Sequence, residues 1–192
     1  MIRATIVSIR VLLVMTVLTG VLYPLTVTVI ARLVFPDRAE GSLIREGGAV
    51  LGSDAIGQSF SRPEYFWGRL SATSRMPYDA SASSGTNYGP LHPDLKKAAE
   101  GRIAALKTHP VPDGAIPADL VTASASGLDP HISPAAAEYQ VRRVASARGI
   151  SEEAVREVVR LHSSGRFLGI LGEPRVHVLR LNLALDRMKS ER

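Results

Sequence analysis

Apolar and polar positions are spread unevenly along the chain. Between Arg10 and Arg32 runs VLLVMTVLTGVLYPLTVTVIA, 21 positions without a charge. A bilayer core needs about 20 mostly apolar residues in a helix, so residues 11–31 are expected to cross a membrane. Gly20 and Pro24 weaken a helix in water but are tolerated in lipid, where neighbouring groups re-satisfy the backbone. Gly20, Tyr23 and Thr26 suit a face that packs on another helix, since small and hydroxyl residues are common at such contacts. The competing reading is a cleaved secretory signal, with Val29 and Ala31 as a small-residue cleavage site. The apolar run exceeds the usual core of about 7–15 residues in such signals, which favours an uncleaved anchor.

Beyond the anchor the patterning becomes that of a small folded domain. GSLIREGGAVLGSDAIGQSF reads as one or two short strands turning at Gly47-Gly48. HPDLKKAAEGRIAALKTH predicts a helix with Pro93 in its first turn and Leu95, Ala99, Ile103 and Leu106 on one face. VPDGAIP is a turn-rich link, and ADLVTASAS is expected to begin as a strand. Ser133-Pro134 is a strong helix start, Ala137, Val141, Val144 and Ala145 form its apolar face, and Gly149 ends it. Ser151 caps a second helix with Glu152 and Glu153 in its first turn and Val155, Val158, Val159 and His162 inward. RVHVLRLNLAL alternates apolar residues at Val176, Val178 and Leu179/Leu181, as a strand followed by a short terminal helix does. The organisation is a basic tail (1–10), a membrane helix (11–31) and a soluble domain (32–192) containing a helical hairpin at about 133–163. The fold class is α+β, a single N-terminal transmembrane helix followed by one small extracytoplasmic α+β domain.

The segment at about 60–91 breaks the pattern. It is rich in Gly, Ser and Pro, yet Phe60, Tyr65, Phe66, Trp67, Tyr78 and Tyr88 supply six of the ten aromatic residues. Long structureless loops are commonly functional or disordered, and disorder disfavours aromatics. An ordered loop with a recognition task is one reading, and aromatics that fix the loop to the core is the other. Tyr65, Phe66, Trp67, Tyr78, Asn87 and Tyr88 are the candidate docking residues.

Charge adds a direction. The net charge is +5 and the pI about 9.9, which favours acidic partners without choosing among nucleic acid, anionic lipid and protein. There are no cysteines, which excludes disulfides and thiolate chemistry. The short tail carries Arg3 and Arg10, and the positive-inside rule weights short tails over long translocated domains. The tail is therefore expected in the cytoplasm and the domain outside.

Candidate chemistries are weak. TASASGLDPHIS at 122–133 holds Ser124, Ser126, Asp129 and His131, but a nucleophile needs an oriented base within reach, and no G-x-S-x-G elbow occurs. A turn at Asp129-Pro130 leading to the Ser133 cap is the better account. The histidines lack metal-ligand spacing, and no metal is expected. There is no G-x-x-x-x-G-K-[ST] and no D-K-T-G, so the chain by itself is not an ATP-driven pump. AEYQVRRVASARGISEEAVREVV has a helix–turn–helix cast, with Arg142, Arg143, Arg148, Arg156 and Arg160 as basic residues. The acids of its second helix argue against DNA, and an outside location removes that reading.

GQSFSRPEYFWGRLSA, SGTNYGPLHPDL, LVTASASGLDPHISPAAAEYQVRRVASARG and LGEPRVHVLRLNLAL, in this order, resemble the C subunit of the bacterial Kdp potassium-transporting ATPase. The similarity covers about Val14 to Leu185. Mild departures are Arg69-Leu70-Ser71-Ala72, where the family usually has R-P-S-A, Ser83-Ser84-Gly85-Thr86-Asn87, where S-G-G-S-N is typical, and His177, where asparagine is common. The resemblance implies an accessory, non-catalytic subunit of an ATP-driven potassium uptake pump, beside a potassium-conducting and an ATP-hydrolysing subunit. It also implies a catalytic chaperone that raises ATP affinity through a transient complex, with Gln140 as the matching nucleotide contact and no firmly bound cofactor. The alternative reading of Gln140 is a polar residue on a solvated helix face. A domain outside the membrane would not meet cytoplasmic ATP, and a docking or gating module without nucleotide contact is the alternative function.

Overall fold

The computed structural model describes residues 2–110, 112 and 114–190. The link expected at 111–117 falls partly on residues outside these. The chain forms two compact units that divide between Leu51 and Gly52, later than the boundary at residue 32 expected from the apolar run.

In the first unit, residues Ile2–Val34 are helical throughout and long and apolar enough to cross a membrane. The helix also takes in the basic tail, because residues 2–10 have no helix breaker. It comprises α1 (Ile2–Val17), a π-helical turn at Leu18–Leu22 and α2 (Tyr23–Val34). Pro24 explains the wide turn. Proline cannot donate to the carbonyl four residues back, so the ladder relaxes locally to longer bonds, and Tyr23 N–H reaches Leu18 O. The hydroxyls are satisfied within the helix: Thr19 donates to Met15 O at 2.7 Å, Thr26 to Leu22 O at 2.8 Å and Thr28 to Pro24 O at 2.7 Å. That allows them to face an apolar medium at little cost. A short α3 (Pro36–Ala39) and a hairpin of β1 (Leu43–Glu46) and β2 (Ala49–Ser53) follow. Gly47 and Gly48 have φ of +56° and +84°, as a two-residue hairpin turn with both central residues left-handed requires.

The second unit is built on α4 (Pro93–Lys107), α5 (Ala118–Val121), α6 (Pro134–Arg148), α7 (Glu152–Leu161) and α8 (Val178–Ser190). A small antiparallel sheet has the order β3 (His131–Ile132), β5 (Arg175–His177), β4 (Ser163–Ser164). Its register pairs His131 with His177 and Val176 with both Ile132 and Ser163. The strand expected to begin at Ala118 is instead the single turn α5. Leu120 N–H bonds Pro117 O, and only Ala123 makes a bridge, to Leu70. Four residues after a proline close a turn locally, before any strand partner is available. The terminal helix is also longer than expected.

The helix signals hold elsewhere. Ser133 Oγ accepts from Ala136 N–H at 3.0 Å and Ser151 Oγ from Ala154 N–H at 3.1 Å. Gly149, at φ +66°, closes α6 in the left-handed conformation. α6 is the centre of the core, with Ala136, Ala137, Tyr139, Val141, Val144 and Ala145 buried. Against it pack Val155, Val158 and Val159 of α7, Val178, Leu181 and Leu185 of α8, Leu106 of α4, and Phe66 and Trp67 of the long loop.

Candidate functional site

Three buried polar side chains organise the domain: Gln140 and Arg143 on α6 and Asn182 on α8. Asn182 and Gln140 each clamp one residue of the loop. Phe66 N–H donates to Asn182 Oδ1 at 2.8 Å, and Asn182 Nδ2 returns a bond to Phe66 O at 3.0 Å. Trp67 N–H donates to Gln140 Oε1 at 2.8 Å, and Gln140 Nε2 donates to Trp67 O and Ala136 O, both at 3.1 Å. The two amides thus satisfy a stretch of backbone as a neighbouring strand would. Buried backbone groups need such partners.

Arg143 ties the preceding residues. Its guanidinium donates to Pro63 O at 2.6 Å, Tyr65 O at 2.9 Å and Gln140 Oε1 at 2.5 Å. It also lies 4.1 Å from the Trp67 ring centre, while Arg102 lies 5.0 Å from it. Burial, helped by the charge of Arg102, lowers the Arg143 pKa to about 10, with Glu64 opposing, so it stays charged at neutral pH. Arg148 continues the row, donating to Glu64 O at 2.7 Å, Leu185 O at 2.9 Å and Asp186 at 2.8 Å.

These contacts correct two expectations. Gln140 is fully buried rather than on a solvated face, and its amide is engaged by the chain itself. Phe66 and Trp67 are core residues, 0% and 5% exposed, and present no ring for docking. Tyr65 is half-buried, its hydroxyl bonded to Arg62 and to Asp186. Tyr78 is a pin: its hydroxyl donates to Arg69 O at 2.6 Å and its N–H to Ser71 Oγ at 2.8 Å. Burial raises its pKa. Asn87 is exposed at φ +51°, and the half-exposed Tyr88 stacks on His92 with ring centres 4.4 Å apart. Beside Tyr88 lies an open groove of about 470 Å³, lined by Thr86, Leu95, Ala98, Leu70 and Val121 among others. Of the docking set, Asn87 and Tyr88 remain outward. Gly20, Tyr23 and Thr26 belong to the helical unit; Tyr23 is 67% exposed, and a Cβ on Gly20 would approach only Thr16 of its own helix.

The stretch at 122–133 folds as a turn. Asp129 Oδ1 accepts His131 N–H at 3.0 Å, Leu128 N–H bonds Ser126 Oγ, and Gly127 sits at φ +69°. Asp119 receives Ser133 N–H at 2.7 Å. The turn also holds the long loop, since Ser71 donates to Gly127 O at 2.6 Å, Ser83 to Ser126 O at 3.0 Å and Arg69 to Asp129 at 3.3 Å. His131 lies edge-on to His177, with ring centres 5.1 Å apart, and His177 Nε2 is 2.9 Å from Asp54 O. The basic residues of the helical hairpin are largely engaged: Arg143 is interior, Arg156 bonds Glu138 and Glu152, and Arg160 bonds Glu157.

The signal for the buried amides was present in the helical spacing. Gln140 stands three residues after Ala137 and four before Val144, on the apolar stripe itself. Asn182 stands between Leu179 and Leu185 at spacings of three. A polar residue on such a stripe marks a satisfied interior group. Arg148 gave no such signal, since its carbonyl partners, Glu64 of the long loop and Leu185 of α8, are distant in the chain.

Among the described residues one helix is long and apolar enough to cross a membrane, and with the small α+β domain after it this points to a membrane-associated protein. The chain belongs to the family described as KdpC, the K+-transporting ATPase c chain, whose model matches residues 5–187. It is 61% identical over 180 residues to the potassium-transporting ATPase KdpC subunit of Herpetosiphon aurantiacus, covering 93% of each chain. It is 59% identical over 177 residues to that of Sorangium cellulosum, covering 91% of this chain and 93% of the relative.

Proposed function

We propose that the chain is the anchored accessory subunit of a potassium uptake ATPase and acts as a docking and stabilising module, without nucleotide contact at Gln140. The observation that carries this reading is the burial of Gln140, whose amide is already bonded to Trp67 and Ala136. A nucleotide would have to displace Trp67 from the core to reach it. The helix crosses the membrane with the basic tail inside, and the domain docks on the outer face of the potassium-conducting subunit. Gly20, Tyr23 and Thr26 pack beside the partner's spans. On the domain, Asn87, Tyr88 and the adjoining groove form the contact, a half-exposed aromatic ring being well suited to an interface.

Topology tests it. The chain has no cysteine, so Ser83→Cys places a single thiol on an exposed position of the long loop. Labelling of intact cells by a membrane-impermeant thiol reagent is the expected outcome. Labelling only after permeabilisation puts the domain in the cytoplasm and overturns the proposal. In the same cells, Tyr88→Ala is expected to reduce the amount of subunit recovered with the complex, with the isolated chain still folded.

A further inference from the structure

The second unit carries an apolar tip that its own core does not use. Between Gly165 and Glu173 the sequence is RFLGILG, and Phe167, Leu168, Ile170 and Leu171 are 69%, 76%, 74% and 57% exposed. Isolated exposed apolar residues are ordinary, but four within five positions form a patch, and such patches mark interaction sites. The tip is a closed knob. Phe167 N–H donates to Leu171 O at 2.8 Å and Leu171 N–H returns to Phe167 O at 3.0 Å. Gly169 N–H donates to Arg166 O and Ile170 N–H to Phe167 O, each at 3.2 Å. Positive φ at Leu168, Gly169 and Gly172 makes the reversal.

We propose that this knob dips into the lipid bilayer surface. Two observations favour lipid over a protein groove. From Phe167 to Gly172 no side chain carries a charge or a hydrogen-bonding group. The charges stand at the root, where Arg166 and Glu173 neutralise each other at 2.9 Å and Arg175 lies exposed on β5, at the level suited to headgroups. The chain already has a helix long enough to cross a membrane, so binding the surface is an intramolecular event needing little affinity of its own. The proposal does not depend on which face of the membrane carries the domain.

Full-length chains carrying Ile170→Cys or Leu168→Cys would be labelled with an environment-sensitive fluorophore. They would be reconstituted into phosphatidylethanolamine–phosphatidylglycerol vesicles, with Ser83→Cys as the reference site. Lipids bearing a shallow nitroxide are expected to quench both tip sites several-fold more than the reference, with emission shifted to the blue and quenching by aqueous iodide reduced. Tip sites that match Ser83→Cys overturn the proposal. So does shielding from both quenchers that appears only when the other pump subunits are present, which would make the knob a protein contact.

Discussion

The side-chain amide of Gln140 bonds both backbone groups of Trp67, accepting from its N–H at 2.8 Å and donating to its carbonyl at 3.1 Å. Asn182 repeats the arrangement one residue earlier, at Phe66. The consequence is a loop without a β-ladder whose most apolar residues nevertheless lie in the core. The aromatics supply the burial, and the amides remove the penalty for unpaired backbone groups.

Gln140→Ala should therefore weaken folding. Leaving a buried donor or acceptor unpaired costs about 1–3 kcal/mol, and two backbone groups of Trp67 lose their partner. The expected loss is on the order of 2–4 kcal/mol, at the larger end for one substitution. Denaturant unfolding of the full chain in detergent, followed by the fluorescence of Trp67, the one tryptophan, measures it directly. Unchanged stability with an altered ATP affinity of the pump would instead assign Gln140 to nucleotide.

Arg143→Lys should also destabilise, although the charge is kept. The planar guanidinium bridges Pro63 O, Tyr65 O and Gln140 Oε1 while lying over Trp67, and an ammonium has neither the fork nor the flat face. Hydrogen bonds to charged groups are worth about 1.5–3 kcal/mol each, so a loss of about 2–3 kcal/mol is expected. A lysine variant that unfolds at the wild-type denaturant midpoint would show that position 143 needs only a positive charge.

Much of this architecture is legible in the sequence where the cause is local. The charge-free run, the Ser133 and Ser151 caps, the Gly149 stop and the Gly47-Gly48 turn all specify their elements within a few residues. What the sequence conceals is tertiary. Trp67 and Phe66 sit in a Gly/Ser/Pro-rich loop, so their interior position depends on amides more than 70 residues away. Ala118–Val121 closes a helical turn after Pro117, where among the described residues no strand pairs with it, and the apolar pattern alone did not reveal that. The π turn in the anchor follows from Pro24 and was readable in principle.

Gly57→Ala should be poorly tolerated although its backbone is ordinary. A Cβ there would lie 2.4 Å from the Tyr78 ring and 2.7 Å from Asp129 O. Neither neighbour yields easily: Tyr78 is held by Arg69 O and Ser71, and Gly57 N–H is itself bonded to Leu128 O at 2.8 Å. Overpacking of this kind costs about 1–3 kcal/mol. Gly149→Ala, with no atom within 4 Å of its Cβ, provides the contrast: strain from its φ alone, without a clash. Thermal unfolding of the two variants should place Gly57→Ala at least as low as Gly149→Ala. The reverse order would mean that Tyr78 moves aside.

His177 gives the domain a pH dependence whose sign follows from its surroundings. Burial disfavours its charged form and is reinforced by His131 and Arg180, while Asp54 opposes, and the net effect lowers its pKa below 6.5. The unfolded chain therefore binds this proton more readily than the folded one. Stability is fully present above pH 6.5 and declines as the pH falls below it. Asp54 and Asp129 do not contribute in the upper part of that range. Arg180 holds Asp54 down, and hydrogen bonds from His131 with the charge of Arg69 outweigh burial at Asp129, so both carboxylates lose their contribution only below about the ordinary value of 3.8. His177→Asn keeps a side chain able to bond Asp54 O but removes the titration. Thermal midpoints measured across pH 6.5 should slope for the wild-type chain and flatten for the variant, leaving an acid loss below the carboxylate range. Equal slopes in the two proteins would move the acid sensitivity away from His177.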